Sequence, residues 1–139
     1  MAVLTYEFET SGKGYCDIKD VTGQVADLVR QSGVKEGVVT VFVAGSTAGV
    51  TTVEYEPGLV ADLKAAVERL VPRDTHYAHD SRWGDGNGFS HVRAALLKPS
   101  LSVPVSGGAL LTGTWQQIVV IDFDNRPRRR RVVVQVMGE

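Results

Sequence analysis

The sequence predicts an α+β protein, rich in strand, with two main helices in a single domain. Three observations carry that prediction. Several short stretches alternate apolar and polar side chains, the period of a sheet with one buried face. Two segments, 20–32 and 57–70, repeat apolar residues at helical spacing. The chain has 139 residues with no repeat and no linker composition, the size of one domain.

The elements follow in order. In 3–9, Leu4, Tyr6 and Phe8 point one way and Thr5, Glu7 and Glu9 the other, so this segment is a half-buried strand. Gly12 and Gly14 break it, and 15–18 is a second short strand. Asp20 or Thr22 caps a helix to about Ser32, with Val21, Val25, Leu28 and Val29 on one face and Gly33 at its C-terminal cap. The segment 37–44 (GVVTVFVA) is apolar or small on both faces and is expected to be the most buried strand. After Gly45-Ser46-Thr47-Ala48-Gly49, residues 50–55 form a returning strand. Pro57 suits a helix first turn, and that helix runs to about Leu70, stopped by Pro72. Its apolar face comprises Leu59, Val60, Leu63, Val67, Leu70 and Val71. One or two helical turns are expected over 92–97, and strands over 101–105, from Leu110, over 118–123 and over 131–137. Ser106-Gly107-Gly108 and 124–127 are turns by composition.

Hydrophobic residues make up 43% and charged residues 22%, which excludes an intrinsically disordered chain. The single cysteine, Cys16, cannot form an internal disulfide or a CxxC metal site, and a cytoplasmic location fits. Cys16 reads as a packed, inert thiol. The N-terminus has no basic region followed by an apolar run, so it does not read as a signal peptide. No apolar stretch approaches the ~20 residues of a membrane span. The net charge of −1 conceals an asymmetry, because Arg126 and Arg128–Arg131 supply five of the 15 basic residues. They could grip phosphate or nucleic acid. The favoured expectation is a solvated sheet edge that discourages strand pairing, since alternating side chains diverge and no aromatics are interleaved.

The stretch 75–91 (THYAHDSRWGDGNGFSH) holds all three histidines, His76, His79 and His91. Gly84, Gly86 and Gly88 rule out a long regular element through its centre. Long polar loops in compact domains usually serve a function. His79, Asp85 and His91 suit a divalent metal with open positions, and Asp80, Asp85 and Asn87 equally suit magnesium beside a phosphate. The alternative is a surface loop whose histidines cap turns or pack on Tyr77 and Trp83. Gly45–Gly49 could bring backbone amides to an anion or form a tight turn, and it lacks the lysine of a P-loop. Glu54 and Glu56, two apart on a strand, could supply a general base or a ligand, or lie on a solvated edge. Trp115, Gln116 and Gln117 could contact a heteroaromatic ligand or a neighbouring subunit.

From Val41 onward the chain resembles the YjbQ-like family, the secondary thiamine-phosphate synthases. The matching segments are Gly45–Gly49, Glu54-Tyr55-Glu56-Pro57-Gly58-Leu59, Asp62-Leu63 and Leu70-Val71-Pro72. They continue through Tyr77-Ala78-His79, Asp85-Gly86-Asn87-Gly88, Ser90-His91-Val92-Arg93, Pro99–Val105, Gly113–Gln117 and the basic last strand. The chain departs from the family at Gly45 and Ser46, where many members carry a histidine, and at Lys98, where glycine is usual. The resemblance implies a sandwich-like YjbQ fold, a homotrimer and sites shared between subunits. It implies joining of a hydroxymethylpyrimidine diphosphate to a thiazole phosphate with loss of diphosphate, assisted by a divalent ion, magnesium or zinc. His79, Asp85 and His91 are then the metal ligands. Glu54, Asn87 and Gln116 become catalytic candidates, and Ser46, Thr47, Arg93, Trp115, Gln117 and Arg126 substrate-binding ones. The alternative is a non-catalytic trimeric module for a metal or a small phosphorylated ligand. No membrane or nucleic-acid partner is expected.

Overall fold

The computed structural model describes Met1–Glu139. Its elements are β1 (Ala2–Gly12), β2 (Asp17–Asp20), α1 (Thr22–Ser32), β3 (Glu36–Ala44), β4 (Ala48–Val53) and α2 (Pro57–Leu70). They continue as α3 (Ala78–Trp83), α4 (Gly88–Leu97), β5 (Ser100–Ser106), β6 (Ala109–Leu110), β7 (Gln117–Asp122) and β8 (Arg128–Gly138). Strand dominates and the helices are inserted, so the α+β expectation holds. Beside the two main helices, α4 extends the helical turns expected over 92–97, and α3 is an additional short helix.

The strands form two sheets, ordered β1-β8-β3-β5-β6 and β2-β7-β4. Every neighbouring pair is antiparallel. The main core lies between the sheets. Val39, Val41 and Val43 of β3 and Val132, Val134 and Val136 of β8 meet Val50, Ile118 and Val120, and Leu4, Tyr6 and Phe8 of β1 pack against them. β7 is buried on both faces. Its Val119 and Ile121, with Phe123 beyond its end, form a second core with Cys16, Ile18 and Ala94, covered by Val60, Leu63 and Val67 of α2 and Leu97 of α4. The layers are therefore sheet, sheet, helices. This corrects the expectation for β3, whose Phe42 is exposed on the open face of the larger sheet. The doubly buried strand is β7, because only the middle layer is covered from both sides.

The N-cap of α1 is Val21, without a side-chain cap bond, rather than the expected Asp20 or Thr22; Asp20, one residue earlier, accepts hydrogen bonds from the Thr22 amide at 2.9 Å and its hydroxyl at 2.7 Å. Gly33 closes α1 in the left-handed conformation, φ 73°. Glu56 caps α2 by accepting from the Leu59 amide. That role removes Glu56 from the strand face it was expected to share with Glu54. Leu70, expected on the buried face of α2, projects outward. In the β5–β6 hairpin Gly107 and Gly108 have φ of 60° and 77°, the paired positive values of a type I′ turn.

The last strand corrects a second expectation. β8 is not an edge but lies between β1 and β3, and its arginines alternate. Arg129 and Arg131 face outward and pair with Glu9 at 3.2 Å and Glu7 at 3.1 Å on β1. Arg128 and Arg130 share the parity of Val132 and turn inward. The basic run is thus divided between two faces and matched with acids, which leaves no continuous cationic strip.

Candidate histidine–carboxylate site

The histidine stretch is folded into two short helices. α3 begins at Ala78, so His79 and Asp80 lie in its first turn, and it closes at Gly84 with φ 71°. α4 starts after Asn87 and carries His91 one turn in. The two helices approach closely at Gly88, where a β-carbon would stand 2.6 Å from that of Tyr77. The Gly88 amide donates to Asp80 Oδ1 at 2.8 Å. These contacts explain why a segment without strong apolar periodicity is ordered as helix: its closure depends on tertiary packing.

The fold brings the expected residues together. The His79 and His91 rings lie 4.4 Å apart. His79 Nδ1 is 3.2 Å from Asp80 Oδ1 and 3.4 Å from Asp85 Oδ1. The potential ligand atoms of His79, Asp80 and Asp85 all lie within 4.8 Å of one another. Donors about 2.1 Å from one tetrahedral ion are separated by about 3.4 Å, so this spacing fits a common cation. The compact donor set therefore includes Asp80, while His91 flanks it. Burial, then the neighbouring His79, hold the His91 imidazole below the ordinary histidine value, against the opposing fields of Asp124, Asp85 and Asp80. His91 is consequently neutral at pH 7, the form that offers a lone pair.

Beneath this cluster lies a buried polar network. Asp124 accepts from Asn87 Nδ2 at 3.1 Å, Thr47 Oγ1 at 3.1 Å, the Asn125 amide at 2.8 Å and Arg128 Nε at 2.7 Å. Burial alone would raise its pKa, but these donors outweigh it and hold the carboxyl down at about 2. Asp122 binds Arg130 through two bonds, at 2.8 and 2.9 Å, and Arg130 also donates to Thr47 Oγ1 at 2.6 Å. Gly12 makes room for this pair, because any side chain there would overlap the Asp122 carboxylate. One atom is left over. Asn87 is 5% exposed, and its Oδ1 has no hydrogen-bond partner. Since Nδ2 is committed to Asp124, Oδ1 is an acceptor held in one orientation.

Other expected residues lie elsewhere. Ser46 and Arg126 are exposed, and Thr47 is buried in the Asp124 network. Arg93 is also buried. It donates to the Val71 carbonyl at 3.0 and 2.8 Å and to Glu68 at 2.5 Å, tying α4 to α2. Glu54 is exposed just beyond β4. Gln116 spans Gly113 and Thr52, and Gln117 accepts from the Tyr55 amide at 2.9 Å, so both amides tie this segment to β4 and the residues after it. Trp115 is 73% exposed beside them. This group precedes β7, whereas Asp122 and Asp124 lie at its far end. The two ends are about 17 Å apart at ~3.4 Å per residue, so one chain does not join Trp115 to the histidines.

Sequence reasoning missed Asp122, Asp124, Arg128 and Arg130, although it named Asp80. Their signal is the mirrored pattern Asp-x-Asp and Arg-x-Arg about Arg126.

The profile of the family described as UPF0047 protein YjbQ-like matches residues 5–139. A UPF0047 protein of Methanothermobacter thermautotrophicus is 36% identical over 139 residues, covering 100% of this chain and 95% of that one. A UPF0047 protein of Mycobacterium bovis is 43% identical over 97 residues, covering 70% of this chain and 74% of that one. Among solved structures, a YbjQ-like protein of unknown function from Sulfolobus solfataricus superposes with TM-score 0.89 at 29% identity, covering 99% of this chain and 100% of that one. A hypothetical protein from Aeropyrum pernix gives TM-score 0.90 at 30% identity, covering 98% of this chain and 99% of that one. Profile, relatives and fold agree over nearly the whole length, and the chain belongs to the YjbQ-like UPF0047 family.

Proposed function

We propose that the histidine–carboxylate site holds a divalent cation and serves a thiamine-phosphate synthase-like transfer. In that reaction a hydroxymethylpyrimidine diphosphate loses diphosphate, and a thiazole phosphate nitrogen takes the pyrimidine methylene. The observation that supports it most is the convergence of His79, Asp80 and Asp85 on one point, with neutral His91 beside it. Asn87, which precedes the helix that carries His91, leaves its Oδ1 without a partner. This mixed set suits magnesium, manganese or zinc. A bound divalent ion would supply charge neutralisation to the leaving diphosphate. The chain's own residues orient and desolvate. Asp124 holds the Asn87 amide in one orientation, and the Thr47, Asn125 and Arg128 donors keep Asp124 an anion fully committed to the protein.

The reading requires a second copy. Trp115 and Gln116 lie at the opposite end of β7 from Asp122, so a pocket combining them with His79 has to form between subunits. An interface that joins one end of a subunit to the other end of its neighbour is head-to-tail, and with a three-fold rotation it closes as a trimeric ring.

A second reading is favoured by specific contacts. Arg93, Gln116 and Gln117 are engaged in structural hydrogen bonds, which suits a non-catalytic trimeric module that binds a metal or a small phosphorylated ligand. An assay with both substrates, with and without manganese, separates the two. The transferase reading expects metal-dependent thiamine phosphate formation, lost in His79→Ala. It also expects partial recovery when His79→Ala and Trp115→Ala subunits are mixed and reassembled. Absence of product from the wild-type trimer at any metal concentration leaves the binding module.

A further inference from the structure

A second concave site lies away from the histidines. It is a cleft of about 350 Å³ at the junction of β4, β5 and the end of α4, within the size range of small-ligand pockets. Lys98 is the only charged residue that lines it, and no carboxylate does. In a chain with slightly more acids than bases, a cleft with one cation and no acid is biased toward anions. The hydroxyls of Thr51, Ser100 and Thr112 share the lining, and Leu97 and Leu111 provide apolar walls.

The backbone at Lys98 is unusual. Its φ of 86° and ψ of 152° belong to a region that is essentially glycine's. The strain is held from several sides. The Lys98 amide donates to Ala94 O at 2.9 Å, its carbonyl accepts from Val50 at 3.1 Å, and Val43 donates to Pro99 O at 2.9 Å. Gly49 permits this approach, as a β-carbon there would lie 2.9 Å from the Lys98 carbonyl oxygen. A side chain maintained at such a position is one whose placement matters more than its conformational cost.

We propose that this cleft binds a phosphate monoester with an apolar body, with Lys98 as the anion-recognition residue. The ammonium and the neighbouring hydroxyls meet the phosphate, and the leucine walls take the organic part. The cleft uses none of the histidine-loop residues, but it shares Gln116 with the proposed intersubunit pocket, so a metal-free titration reads binding here without any transfer activity.

The test uses the full chain with metal removed by chelator and phenyl phosphate as the probe, with phenol as its uncharged comparator. Amide shifts in a two-dimensional NMR titration read the site. Phenyl phosphate at about 10 mM, roughly ten times a millimolar Kd, is expected to shift the Thr51, Ser100 and Thr112 amides, and phenol to leave them in place. Lys98→Gln, which keeps the backbone and removes the charge, is expected to weaken binding by about tenfold or more, and Lys98→Arg to retain it. No shift in the wild type, equal shifts with phenol, or undiminished binding by Lys98→Gln would each overturn the proposal.

Discussion

Asn87 donates its amide Nδ2 to Asp124 at 3.1 Å and leaves its own carbonyl oxygen buried without a partner. The arrangement orients a neutral side chain by means of a buried anion, whose remaining capacity is taken by Thr47, Asn125 and Arg128. Asp124 is therefore the support of the site, and the buried, unpartnered Asn87 Oδ1 is its consequence. Replacing Asp124 with alanine leaves buried donors without an acceptor and is expected to cost about 3–5 kcal/mol. Thr47→Val should cost about 1–2 kcal/mol, because the remaining donors still hold the carboxylate. Urea denaturation of the two variants measures both values, and equal costs would show that the network does not centre on Asp124.

The same carboxylate sets an acid limit. Its folded pKa of about 2 lies below the ordinary 3.8. A depressed acid contributes stability above its unfolded pKa and loses it as pH falls through the folded one. The contribution is about 2 kcal/mol, complete above about pH 4 and gone near pH 2. His91 acts at a higher pH with the same sign. Its folded value is depressed below 6.5, so the unfolded chain takes up its proton first, and stability falls as pH drops below about 6.5. Chemical denaturation between pH 2 and 8 should show both losses, with the acid one absent in Asp124→Asn.

The arginine run makes an internal control. Arg130 is buried against Asp122, whereas Arg129 pairs with Glu9 at the surface. Arg130→Ala strands a buried carboxylate and is expected to cost about 3–5 kcal/mol. Arg129→Ala, one residue away, should change stability by less than about 1 kcal/mol. Thermal unfolding monitored by circular dichroism distinguishes them, and similar losses would contradict the alternation of β8.

Lys98 offers the opposite sign. Glycine adopts φ 86° without a β-carbon clash, so Lys98→Gly should stabilise the fold by about 1 kcal/mol, a rise of about 3–5 °C in Tm. A fall in Tm would mean that the lysine side chain contributes packing that outweighs the backbone strain.

The sequence made the strands and the two longer helices legible, because alternation at Leu4, Tyr6 and Phe8, the cap at Gly33 and the helix start at Pro57 are local signals. α3 was not legible. It is one short element between Pro72 and Gly84 with no apolar stripe, ordered by its contact with Gly88 rather than by its own residues. The grouping of His79, Asp85 and His91 was expected; His79 and Asp85 come together with Asp80, and the His91 ring lies beside His79. The Asp124 network was hidden because its partners come from β4, α4 and β8, and acids beside arginines at the end of an apolar strand have the composition of an ordinary turn. Trp115 and Gln116 carry the right chemistry for a ligand, yet the length of β7 separates them from the histidines within one chain. Chain topology decided that, and no local pattern records it.

Cobalt titration asks whether the histidine–carboxylate cluster holds a cation. Co²⁺ bound through histidine and carboxylate reports its coordination in the visible spectrum, independently of any catalytic activity. One ion per chain is expected, competed by zinc, with binding weakened by about tenfold or more in His79→Ala and in Asp85→Ala. Arg129→Ala should bind as the wild type does. A wild-type chain that shows no saturable cobalt spectrum, or His79→Ala binding with unchanged affinity and spectrum, would contradict a cation site in the cluster.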